Sequence, residues 1–105
     1  MRKQLAVIIF LLLIFNTAFA DQKNIFADAL RNGIRIIDNA WWNNNNLSVS
    51  IDILDNETWS GADTYNFAER ICSSLSKQGF KPISLYTVDM IEVKGQSKLL
   101  SLNCK

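Results

Sequence analysis

The segment Ser60–Pro82, SGADTYNFAERICSSLSKQGFKP, carries both a start and a stop signal for one helix. Ser60 offers a hydroxyl at the cap and Asp63 a carboxylate three residues on, the reciprocal arrangement that satisfies exposed N–H groups at a helix start. Thr64, Phe67, Ala68, Ile71, Cys72 and Leu75 then recur at helical spacing and predict one buried stripe. Gly79 supplies the left-handed stop, Phe80 the apolar contact beyond it, and Pro82 bars continuation.

Cys72 on that stripe has one possible partner in the chain, Cys104. A bridge between them closes a loop of about 32 residues, worth roughly 3–4 kcal/mol in the chain-entropy model. A redox-active pair favours C-x-x-C spacing at a helix N-terminus, which these two positions lack, so the pairing is read as structural.

Upstream of the helix, Leu47 to Leu54 alternates: Leu47, Val49, Ile51 and Ile53 on one side, Ser48, Ser50 and Asp52 on the other. This predicts a strand with one buried and one wet face. Downstream, Ile83 to Val93 and Ser97 to Asn103 read as two strands joined by a tight turn at Lys94-Gly95-Gln96. The parity of Asp89 conflicts with a simple register, which predicts a bulge near Thr87 to Asp89 that keeps the carboxylate out of the core. From Gln22 to Trp42, Phe26, Leu30, Ile34, Ile37 and Trp41 fall on one helical line, and Asn43 to Asn46 would end that helix. The expectation is a small α+β two-layer sandwich of order α-β-α-β-β. Its mixed sheet has three strands, with the last strand central, both helices on one face and one disulfide.

The first 20 residues read as an export signal and not as fold. Arg2 and Lys3 form a basic head, Leu5 to Phe15 an apolar run, and Ala18-Phe19-Ala20 a small-x-small cleavage site. The run is well below the roughly 20 residues a bilayer requires. Residues 1–20 are thus a secretory signal peptide, and residues 21–105 a single small domain that does not span a membrane. The protein would be periplasmic in a Gram-negative cell and secreted otherwise. The 49% hydrophobic content therefore combines a leader with a thinner core. From Asp21 onward the basic count falls from 11 to nine, against ten acidic groups, so no general positive field points to nucleic acid.

The chain contains no histidine. That removes Ser-His and Cys-His nucleophile systems and imidazole metal ligands, and no cofactor motif is present. Two surfaces stand out. Trp42 and Trp59, with Asn43 and Asn44 beside the former, form a candidate binding surface, since a tryptophan next to amides can stack on a sugar or clamp a peptide. Asp52, Asp55 and Glu57 form an acidic stretch between the strand and the central helix; they lack the glycine and alternating oxygen ligands of a calcium loop. The reading is a small exported interaction module without enzymatic activity, such as an inhibitor, an immunity-type partner or an envelope accessory protein. Its partner would be another protein, or a glycan or peptide of the envelope. The alternative is a small hydrolase, or a ligand- or cation-binding carrier, built on the acidic loop 52–63.

Overall fold

A computed structural model of the protein describes residues 21–53 and 59–105. Within them the order is helix α1 (21–33), strands β1 (Ile37–Asn43) and β2 (Asn46–Ile51), helix α2 (Gly61–Lys77), one 3-10 turn (Ile83–Leu85), then strands β3 (Thr87–Glu92) and β4 (Lys98–Asn103). The strands form one mixed sheet in the order β1-β2-β3-β4. Both hairpins pair antiparallel, and β2 and β3 pair in parallel across the α2 connection, as a crossover requires.

The α+β class, both helices and the disulfide stand. The sheet has four strands and not three, and the added one is β1, drawn from residues that also fit a helix. The α1 helix stops at Gly33, a poor helix former, and Ile34 to Ile37 then supplies three isoleucines to a region favouring extended backbone. Asp38 is bulged out of the β1–β2 ladder, whose pairing runs Ile37 to Ile51 and then Asn39 to Ser50. The bulge lets Ile37 and Ala40, three residues apart, both face the core, and so gives a strand a helix-like spacing. The asparagines do not end a helix. Asn44-Asn45 is the two-residue turn of the β1–β2 hairpin, with Asn44 in the left-handed region at φ 56°.

With β1 in place, β2 becomes central. Its buried residues run unbroken from Leu47 to Ile51, so Ser48 and Ser50 are not the wet face that alternation predicts. The β4 strand lies at the edge and β3, carrying Asp89, inside, the reverse of the expected order. No bulge separates Thr87 from Asp89 in the register with either neighbour; the phase change comes earlier, where residues 83–85 leave extended backbone for a 3-10 turn. Val88 and Met90 therefore enter the core, and Asp89 faces the other side.

The helix that opened the sequence reading forms as predicted. The Asp63 N–H donates to Ser60 Oγ (3.2 Å) and the Ser60 N–H to Asp63 Oδ2 (2.9 Å). At its far end the Phe80 N–H reaches Leu75 O and the Gly79 N–H reaches Ser76 O, with Gly79 at φ 95°. Cys72 and Cys104 are bridged, with Cα atoms 5.5 Å apart, which ties α2 to the residue following β4.

The core lies between the helices and the sheet face formed by Ala40, Leu47, Val49, Ile51, Val88 and Met90, with α1 entering it through Phe26, Ala27 and Leu30. Phe80 is its hub. It stacks on Trp42 (centroids 5.6 Å, 17° between planes) and meets Phe26 and Tyr86 edge-on at 5.9 and 5.5 Å. Such pairs add about 0.5–1.5 kcal/mol beyond area burial. Phe80→Ala is therefore expected to cost about 3–5 kcal/mol in urea unfolding, whereas Leu99→Ala, at the exposed sheet edge, stays within about 0.5 kcal/mol.

Candidate functional site

Among the described residues no helix covers one face of the sheet, and the make-up of this helix-free face follows from the strand registers. One row runs Asn43, Asn46, Thr87, Asn103; the next Trp41, Ser48, Asp89, Ser101; the third Asn39, Ser50, Ile91, Lys98. Apart from Trp41, Ile91 and two charged groups, every position is an amide or a hydroxyl. Trp41 and Trp42 are adjacent on a strand and so point to opposite sides. Trp42 enters the core and Trp41 is left 40% exposed, which reverses the helical expectation that buried Trp41.

Asp89 sits in the middle of this face at 5% exposure. Burial alone raises its pKa, but three donors outweigh it: Ser101 Oγ–H to Oδ1 (2.5 Å), Asn46 Nδ2–H to Oδ2 (2.8 Å) and the Lys98 ammonium at 3.6 Å. Together they hold the carboxyl below the ordinary aspartate value. The carboxylate only accepts hydrogen bonds, so Asn46 must present its amide N–H, which leaves Asn46 Oδ1 buried with no partner among the described residues. The network joins β2, β3 and β4 on the side opposite the core.

The tryptophans expected to form one binding surface are separated by the fold. The Trp42 indole N–H donates to Lys23 O (2.9 Å), its ring packs on Phe80 and Tyr86, and the Lys23 ammonium lies 5.2 Å from the ring centroid. The Trp59 N–H donates to Thr64 Oγ1 (2.7 Å) and its ring meets Phe67 edge-on. They occupy opposite ends of α2, a span of about 25 Å for 17 residues. Asn43 and Asn44 are exposed at the β1–β2 turn, where Asn44 O accepts from Lys23 Nζ (3.0 Å). Of the acidic stretch, Asp52 is half-buried beyond β2, its Oδ1 unpartnered among the described residues, while Asp55 and Glu57 lie outside them, as do residues 1–20. Among the described residues no cluster of three metal-ligating side chains occurs, and no helix is long and apolar enough to cross a membrane.

The Asp89 network is hidden from the sequence because its donors Asn46 and Ser101 lie 43 and 12 residues away, and Trp41 and Asn39 because residues 37–42 also fit a helical period. The signal that finds them is the pair of asparagines between two apolar runs, a hairpin signature that outranks a weak helical period. At the corner of the face where β1 bulges, a groove of about 370 Å³ opens, lined by Asp38, Asn39, Trp41, Ser50, Ile91, Glu92, Val93 and Gln96.

Asp89 sets a pH dependence. Its native pKa is lowered, so the unfolded chain binds the extra proton and stability rises with pH through this window. The contribution is complete above the unfolded aspartate pKa of about 3.9 and is lost as pH falls through the lower native value. Urea unfolding between about pH 5 and 2 should show that loss, and Asp89→Asn should flatten it while destabilising the protein at neutral pH. Compared with known protein families, curated proteins and solved structures, the chain matches none.

Proposed function

We propose that the protein is a small exported interaction module, cleaved after Ala20 and stapled by Cys72–Cys104, that binds a macromolecular partner through the helix-free face of its sheet. The observation that carries this reading is the exposed Trp41 ring on a face otherwise made of short amides and hydroxyls. Large aromatics at the centre of well-packed patches dominate binding energy, and a face that is ordered before binding loses little entropy on association. The Asp89 network supplies that order from below. Trp42 and Trp59 spend their indole N–H groups and most of their ring area inside the fold, so they support the surface without forming it. The proposed role is binding without catalysis, in keeping with a chain that has no histidine to activate a nucleophile.

Affinity capture from the envelope fraction, with the protein and its Trp41→Ala variant as parallel baits, tests this directly. The wild-type bait should retain a specific partner, and the variant should lose it by about thirtyfold, the effect of one hot-spot aromatic. Equal capture by both baits, or none by either, contradicts the proposal. The captured bait should begin at Asp21.

A further inference from the structure

We infer that the outer edge of β4 accepts, as a fifth strand, an extended segment of another protein in which acidic and apolar side chains alternate. This surface is separate from the Trp41 face and goes beyond its proposed role. A sheet edge presents unpaired N–H and C=O groups, and proteins block the edges they do not use. The two edges of this sheet differ in that respect. On β1 the ladder with β2 turns the backbone of Ala40 outward, and both of its groups are taken. Its N–H donates to Asn39 Oδ1 (2.9 Å), its carbonyl accepts from the Arg31 guanidinium (3.0 Å), and Asp38 bulges out beside them. On β4 the Cys104 N–H donates to Tyr86 O (2.9 Å), which fixes the alternation of the ladder. Leu100, Leu102 and Cys104 turn their backbone groups to β3, and Ser101 and Asn103 turn theirs outward. The side chains that could screen this edge are drawn back over β3: Ser101 Oγ–H donates to Asp89, and Asn103 Nδ2–H to Thr87 Oγ1 (3.5 Å).

The two sides of β4 select the occupant. On the core side Leu100 and Leu102 are only half-buried, so apolar residues of an added strand would complete their cover. Beside Leu102 and Asn103 a groove of about 410 Å³ opens against Tyr65, Ser73 and Ser76 of α2, with room for one of those side chains. On the helix-free side Lys98 is exposed, and its ammonium has three donors of which Asp89 occupies one. From Val93 to Lys105 the chain carries three lysines and no acidic side chain. The carboxylate nearest the groove, Glu69, is held by the Tyr65 hydroxyl on α2. Acidic residues facing Lys98 and apolar residues facing the leucines are the alternation of one extended strand. A second copy fits less well, because antiparallel pairing of two β4 strands about Ser101 sets Lys98 of one beside Lys105 of the other.

The test adds three capped hexapeptides to the purified protein: Glu-Val-Glu-Val-Glu-Val, Lys-Val-Lys-Val-Lys-Val, and the acidic peptide with alternate amides N-methylated. Backbone amides are followed by NMR. The acidic peptide should shift the Ser101 and Asn103 signals and slow exchange of their N–H groups by about tenfold, leaving residues 37–43 unmoved. It should bind about fivefold more tightly than the basic peptide, and the N-methylated peptide should not bind. Asn103→Pro removes one outward N–H at a position where an edge tolerates proline, and should abolish binding that Asn103→Ala retains. Spectra that otherwise overlay with wild type establish that both variants are folded, and the N-methylated peptide tests the same edge without any substitution. Trp41→Ala should bind the acidic peptide as wild type does, so failure here leaves the Trp41 reading standing. Equal binding of the N-methylated or basic peptide, shifts confined to β1, or no shift at all overturns the inference. Protection of Ser101 and Asn103 that grows with protein concentration before peptide is added also overturns it, since a second copy then fills the edge.

Discussion

Trp42 stacked on Phe80 is the contact on which the rest of the structure depends. Phe80 follows the Gly79 stop of α2, so the stack locks the end of that helix over β1. Phe26 brings α1 to the same ring, and Tyr86 the segment entering β3. Four separate stretches of the chain thus converge on one aromatic cluster. A small domain has little apolar area to spare, and edge-on and stacked rings give it a packed core at one end. The disulfide ties the buried stripe of α2 to the residue after β4 and limits the unfolded chain.

Placing Trp42 inward has a consequence on the far side of the sheet. Adjacent residues on a strand face opposite ways, so Trp41 is driven out onto the surface that no helix covers among the described residues. Burial of a charge beneath that surface is tolerated because Asp89 has donors from both neighbouring strands, and a carboxylate with two or three hydrogen bonds is held ionised. Stability and proposed binding are therefore carried by different tryptophans, and a change at Trp41 leaves the aromatic cluster intact. That separation is what allows a surface to be tested without unfolding the domain.

How much of this was legible depended on whether the signals were local. The α2 helix was readable in full, because its capping box and glycine stop are made by residues three to five positions apart. The cysteine pairing was readable because only two cysteines exist. Residues 34–42 were not, since Ile34, Ile37 and Trp41 fit a helical period while Ile37, Ala40 and Trp42 fit a bulged strand. What decides between them is β2, which offers a pairing edge and an Asn-Asn turn of the right length. Asp89 failed for a related reason: the penalty for burying it was read correctly, but its donors come from Asn46 and Ser101, 43 and 12 residues away.

The central claim is that β1 is a strand holding Trp42 inside and Trp41 outside. Solvent paramagnetic broadening of the three indole N–H signals, assigned by single Trp→Phe replacements, tests it most directly. The account predicts strong broadening for Trp41 and protection for Trp42 and Trp59, whose N–H groups donate to Lys23 O and Thr64 Oγ1. A protected Trp41 with a broadened Trp42 would contradict it.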